Sequence, residues 1–134
     1  MNYSIKRKLT PVNEIIQAYP LRLETIQRIQ QDRREVEAIL EGKDSRLLMI
    51  IGPCSAWPKE AVLEYANRLA ALNKKLKKVF KLVMRVYIQK PRTTKGWTGP
   101  VNQPDPGGEP DIEAGIRYVR DMMIKVRCGF ANRR

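Results

Sequence analysis

Leu47-Leu48-Met49-Ile50-Ile51 is an unbroken apolar run with no alternation, and no other segment constrains the fold as strongly. A strand buried on both faces reads this way, whereas a half-solvated strand alternates. Gly52-Pro53 stops the run. A helix is predicted from near Trp57-Pro58 to about Lys78, with Val62, Ala66, Leu69 and Leu76 along one face. A second strand is predicted from Lys81 to Gln89. Its phase of Leu82, Met84, Val86 and Ile88 is apolar and suits packing under a helix layer, while Val83, Arg85, Tyr87 and Gln89 form the other phase. Strand, helix and strand in this order specify a βαβ unit with parallel strands and a right-handed crossover.

The flanking segments read as helices. Thr10-Pro11 suits an N-cap followed by proline in the first turn, opening a short helix to about Tyr19-Pro20 with Val12, Ile15 and Ile16 inward. A second helix is predicted from Leu21 to Glu41, with a narrow stripe of Ile26, Ile29, Val36 and Leu40 interrupted by Arg33, and with Gly42 as its stop. That stripe suits packing on the body of the protein or on a second subunit. Residues 97–110 are rich in Gly, Pro and Asn and read as loop. Asp111 caps a helix expected to reach about Lys125, with Ile112, Ile116, Val119 and Met123 buried. Residues 127–134 show no pattern. Two strands are a poor free-standing core, so both read as interior strands of something larger and the chain reads as cut short.

A chain of 134 residues holds one ordinary domain. No run approaches the roughly 18 apolar residues of a membrane span, and no apolar segment follows the basic start as it would in a signal peptide. Cys54 and Cys128 are far apart in sequence, which suits a reduced, cytoplasmic protein. The net charge of +12 raises the question of nucleic acid. Much of the excess lies in Lys74, Lys75, Lys77, Lys78 and Lys81, near the end of a predicted helix, where cations complement the helix dipole and are expected to stay solvated. No aromatic residues interleave with them and no nucleic-acid motif is present. Neither nucleic acid nor membrane is therefore the expected partner.

In parallel α/β sheets, sites gather at the C-terminal ends of the strands. Here those ends are Gly52-Pro53-Cys54-Ser55 and Lys90-Pro91-Arg92-Thr93, which a βαβ unit brings to one rim. Arg85 puts a guanidinium where an ordinary core has Leu or Val, and an unpaired charge there is costly. Proline holds Lys90 extended, and Arg92 follows it. Such an array can cradle phosphate or carboxylate groups; a basic edge strand kept soluble by charge is the other reading. Cys54 beside these cations is a candidate nucleophile or metal ligand, or else a small buried residue. Cys128 reads as a free thiol.

Leu48-Met49-Ile50-Ile51-Gly52-Pro53-Cys54-Ser55, Glu64-Tyr65-Ala66, Met84-Arg85-Val86-Tyr87, Lys90-Pro91-Arg92-Thr93-Thr94 with Gly96-Trp97, and Asp111-Ile112-Glu113-Ala114-Gly115 together resemble the first class of 3-deoxy-D-arabino-heptulosonate 7-phosphate (DAHP) synthases. The resemblance spans about residues 10 to 126. It implies a (β/α)8 TIM barrel that condenses phosphoenolpyruvate with erythrose 4-phosphate, the entry to aromatic amino acid biosynthesis through the shikimate pathway. It implies Cys54 as ligand of a divalent metal ion such as Mn, Fe, Co or Zn. Arg85 and Lys90 would hold phosphoenolpyruvate as catalytic and binding residues, with Pro91 beside them, and Arg92 and Thr93 would receive the sugar phosphate. A homo-oligomer is implied too, with the N-terminal extension contributing to subunit contacts and feedback control.

On this resemblance residues 1–46 form an N-terminal helical extension, 47–126 the first βα units (about two) of an incomplete barrel, and 127–134 an unpatterned tail left by truncation or frameshift. Two departures stand out. Ala56-Trp57-Pro58 replaces the Ile-His-Asp of many members, and the chain has no histidine, which the resemblance requires among the other metal ligands. The expectation is a synthase fragment inactive by itself. Alternatives are a related synthase using arabinose 5-phosphate, a non-catalytic fragment that associates with intact synthase subunits, and a basic nucleic-acid module.

Overall fold

The computed structural model describes residues 7–91 and 96–131. Its elements are α1 (Val12–Ala18), α2 (Leu23–Leu40), β1 (Leu47–Ile51), α3 (Lys59–Leu76), β2 (Phe80–Met84) and α4 (Ile112–Ala131). β1 and β2 pair in parallel, with Leu47 opposite Phe80 and Ile51 opposite Met84. The βαβ unit read from the hydrophobic pattern is therefore present, in an α/β arrangement of four helices and a two-stranded sheet among the described residues.

The ladder of β2 stops at Met84, earlier than its alternation suggests, because β1 ends opposite it. The chain remains extended in character beyond that point: Arg85 N–H donates to Ile51 O at 2.9 Å. Arg85, Tyr87 and Gln89 stay exposed, while Val86 and Ile88 are half-buried. Met84, Val86 and Ile88 pack on the core formed by Ala56, Val62, Ala66, Met122 and Val126, which is the apolar phase facing helices as expected. Gly52 makes the join possible, since a Cβ there would lie 2.0 Å from the carbonyl oxygen of Arg85.

β1 is not a buried strand in this structure. Leu47 is 61% exposed and Ile50 65% exposed, because β2 flanks only one of its edges and α3 packs on α4 and β2 rather than on β1. α1 buries Ile15 but leaves Val12 and Ile16 outside. Thr10 does not cap α1; its N–H donates to Glu113 Oε2 at 3.0 Å and its hydroxyl to Glu113 Oε1. Pro11 takes the cap position, without a side-chain cap bond. On α2 the apolar stripe is shallow: Ile29 and Val36 are half-buried, Ile26 and Leu40 exposed.

α4 is capped by Asp111, whose Oδ1 accepts from Ala114 N–H at 3.1 Å. Its buried face is Gly115, Val119, Met122 and Val126, rotated from the expected one, with Ile112 and Met123 exposed. Gly115 sets that rotation, because a Cβ there would lie 1.9 Å from Val101 O and only a bare backbone lets α4 settle on this loop. The helix also runs beyond Lys125 into the segment expected to be patternless. Buried Val126 and the ion pair of Arg127 with Asp32 extend its docked face.

α4 is also the rail along which the N-terminal segment lies. Arg7 pairs with Asp111, Thr10 with Glu113, the Arg120 guanidinium donates to Tyr19 O, and Arg127 reaches Asp32 of α2. Lys81 of β2 is not solvated as the charge count suggested. It is 7% exposed, with its ammonium 2.6 Å from Asp32 and 2.8 Å from Glu35. A buried ammonium needs such partners, and α2 supplies both. Burial pushes the Asp32 carboxyl upward, but hydrogen bonds from Lys81 and Arg127 hold it below its ordinary value.

Candidate active site at the strand ends

Two turns converge where β1 and β2 end. The first is Gly52-Pro53-Cys54-Ser55-Ala56, anchored by Ala56, which is fully buried and donates its N–H to Tyr87 O at 3.2 Å. Tyr118 of α4 donates its hydroxyl to Ala56 O at 3.3 Å. With Ala56 pinned inward, Cys54 two residues earlier stands exposed. The reading of Cys54 as a small buried residue is thereby corrected. The second is the turn of residues 99–102; beside it the Lys90 backbone N–H donates to Thr98 O at 2.7 Å while Val101 N–H donates to Ile88 O at 3.3 Å. The extended segment from Arg85 to Pro91 is thus held between the first turn and the loop that returns along it.

These supports bring three candidate side chains together. The Lys90 ammonium donates to Cys54 Sγ at 3.3 Å. The Arg85 guanidinium donates to Gly52 O at 3.2 Å and Pro53 O at 3.3 Å. Both cations sit 5.7 Å from the ring centroid of Tyr87, whose electron-rich face favours cationic neighbours and tempers their repulsion. Tyr87 was legible as a neighbour of Arg85 in strand phase, but its contact with both cations depends on how Lys90 is seated against Thr98. Pro91 is exposed at the end of the segment. Arg92 and Thr93 lie outside the described residues.

The arrangement suits an anion. Among the described residues neither cation has a carboxylate partner; Arg85 donates to backbone carbonyls and Lys90 to sulfur. Their remaining N–H groups at an exposed rim can bind a phosphate or carboxylate directly. A divalent metal fits only in part. Cys54 offers one soft ligand, the chain has no histidine, and among the described residues no three His, Cys, Asp or Glu side chains lie together.

A cavity of about 600 Å3 lies elsewhere, between α2, β2 and α4, where Leu21, Ile29, Val83, Met123 and Arg127 contribute to its walls. It contains none of the candidate residues. No described helix is long and apolar enough to cross a membrane.

Comparison with known proteins follows the same geometry. The model of the DAHP synthetase I family matches residues 20–128. Phospho-2-dehydro-3-deoxyheptonate aldolase of Corynebacterium glutamicum is 42% identical over 119 residues, covering 89% of this chain and 32% of the relative. The Tyr-sensitive enzyme of that name from Escherichia coli K12 is 41% identical over 118 residues, 88% of this chain and 33% of the relative. The structure of phospho-2-dehydro-3-deoxyheptonate aldolase from Francisella tularensis SCHU S4 superimposes with a TM-score of 0.88 at 35% identity, covering 96% of this chain and 38% of that one. The chain therefore spans about a third of the length of the curated relatives it matches.

Proposed function

The chain belongs to the DAHP synthetase I family, and from that premise we propose that it carries the phosphoenolpyruvate-binding part of a 3-deoxy-7-phosphoheptulonate synthase active site. In this reading 47–126 are the first βα units of a (β/α)8 barrel and 1–46 an N-terminal extension packed against them. The enzyme is a cytoplasmic homo-oligomer that feeds aromatic amino acid biosynthesis. The relatives' name, phospho-2-dehydro-3-deoxyheptonate aldolase, favours erythrose 4-phosphate over arabinose 5-phosphate as the second substrate.

Arg85 and Lys90 hold the phosphate and carboxylate of phosphoenolpyruvate, and Arg92 and Thr93 receive the phosphate of the sugar. The terminal methylene carbon of phosphoenolpyruvate forms a C–C bond to the aldehyde carbon of erythrose 4-phosphate. The aldehyde oxygen takes up a proton, water adds at the former enol carbon bearing the phosphate, and inorganic phosphate leaves. Two phosphorylated reactants repel one another, so fixed cations that neutralise and orient both lower the barrier by positioning and by electrostatics. Cys54 would be one ligand of a divalent ion such as Mn, Fe, Co or Zn, which would polarise the aldehyde; the described residues do not complete its coordination, and the steps assigned to this chain are those of its cations.

The observation that carries the proposal is the meeting of Lys90 with Cys54 at 3.3 Å beside Arg85, which donates to the same turn. Isothermal titration of the chain with phosphoenolpyruvate tests it. Binding that disappears in the Arg85→Ala/Lys90→Ala double variant supports it; equal affinity in both proteins sinks it. A second reading, a non-catalytic chain that associates with intact synthase subunits, is favoured by the exposed apolar side chains of β1, Leu47 and Ile50. Co-purification with a full-length synthase supports that one, and its absence at micromolar concentration argues against it.

A further inference from the structure

The turn carrying Cys54 and the loop following Lys90 are joined at the rim by the only two tryptophans of the sequence. Trp57 and Trp97 meet edge to face, with centroids 6.4 Å apart and planes at 68°, a geometry favoured by the quadrupoles of the rings. Trp97 is itself fixed: its Nε1 donates to Gln103 O at 2.7 Å, across the base of its own loop. Its neighbour Thr98 accepts the backbone N–H of Lys90. Trp57 follows Ala56, the buried anchor of the Cys54 turn. A short path of fixed atoms therefore runs from Cys54 through Ala56 and Trp57 to Trp97, Thr98 and Lys90.

We propose that Trp57 is a positioning residue, whose contact with Trp97 sets the separation of the Cys54 sulfur and the Lys90 ammonium. The bonds of Ala56 hold the Cys54 turn to Tyr87 and Tyr118, but they do not bear on the loop at Trp97. The lysine stem is flexible, so the ammonium reaches the sulfur most reproducibly when the loop holding its backbone is also braced against the turn, beyond the tie of Ala56 to Tyr87. Trp57 remains 41% exposed and is not part of the buried core cluster; its contribution is the edge contact across the rim. The assignment of that rim to phosphoenolpyruvate rests on the reading above, whereas the geometric role of Trp57 does not.

A distance measurement tests the role without requiring turnover. The chain is treated with a short maleimide–activated-ester reagent, and the Cys54–Lys90 linked peptide is quantified by mass spectrometry in the native sequence, Trp57→Ala, Trp57→Phe and Trp97→Ala. The linked yield is expected to fall about three- to tenfold in both alanine variants, the scale set by one aromatic pair, and to recover in Trp57→Phe. Thermal unfolding followed by far-UV circular dichroism should change little in Trp57→Ala. Phosphoenolpyruvate affinity should follow the linked yield. A yield unchanged in Trp57→Ala overturns the proposal, as does equal loss in Trp57→Ala and Trp57→Phe. If Trp57→Ala does not fold, Trp97→Ala and Trp57→Phe decide by the same criteria. A yield that responds to Trp57 in a chain that binds no phosphoenolpyruvate supports the positioning role and removes only the substrate assignment.

Discussion

Lys90 donates to the sulfur of Cys54 across 3.3 Å, although the two residues are 36 positions apart in the chain. The contact follows from parallel pairing: β1 and β2 run the same way in register, so whatever follows each strand arrives at one rim. It brings the ammonium into the site, on a residue whose backbone is held by its N–H bond to Thr98 O.

Replacement of Lys90 by Met should therefore weaken phosphoenolpyruvate binding by about ten- to a hundredfold, the range expected for a charge-assisted hydrogen bond. Calorimetric titration measures it. An affinity within twofold of the native chain would remove Lys90 from the binding set.

Gly52→Ala places a Cβ 2.0 Å from Arg85 O, in contact with backbone that cannot swing aside. We expect a loss of at least about 2 kcal/mol in urea unfolding, as for other changes that overpack a fixed site. Weaker anion binding should accompany it, because the carbonyls that Arg85 meets are displaced. Gly107→Ala, with only Asp105 Oδ1 at 3.7 Å, is the mild comparison.

Lys81→Met leaves Asp32 and Glu35 facing a side chain that cannot donate. Removing one partner of a buried ionic group costs about 3 kcal/mol, and the remaining pairs of Asp32 with Arg127 and of Glu35 with Arg46 should keep the loss near or below that figure. Lys78→Ala, at an exposed position, should stay within about 0.5 kcal/mol. Urea denaturation of the two variants separates a buried lysine from a solvated one.

The pH dependence of the N-terminal segment should be governed by Glu113. The hydroxyl and then the backbone N–H of Thr10, with Arg117 beside them, bring its carboxyl down from 4.5 to about 2. A carboxyl lowered on folding stabilises above its unfolded value and loses that contribution as pH falls toward its folded one. The segment around Thr10 should thus stay docked on α4 at pH 5 and loosen between about pH 4.5 and 2. Carboxyl carbon shifts of Glu113, read with the amide shift of Thr10, follow both events; a midpoint near 4.5 would contradict the contact.

Local pattern revealed the parts of the fold that local pattern controls. The period of two from Leu82 to Ile88 places the right side chains on the core, and the order of strand, helix and strand places Cys54, Arg85 and Lys90 on one rim. What escaped was set at a distance. Lys81 counts as one more surface lysine until Asp32 and Glu35 arrive from α2. The inward face of α4 depends on Gly115 meeting Val101, a contact that no periodicity within the helix encodes. Thr10 looks like a helix cap, yet Glu113 offers its donors a stronger acceptor. β1 reads as interior because its residues are apolar throughout, and composition cannot say which of its neighbours are present. Arg92 and Thr93 belong to the same motif as Lys90 and lie outside the described residues.

Because Trp57 and Trp97 are the only tryptophans and they touch each other, the tryptophan emission of this protein originates from a single spot beside Cys54 and Lys90. An optical unfolding curve followed at the tryptophan wavelength is consequently a local record of the rim. The Lys81 cluster and α2 can come apart without registering in it, so fluorescence and far-UV dichroism need not agree on a midpoint. The interval between those midpoints would measure how independently the two ends of the sheet give way.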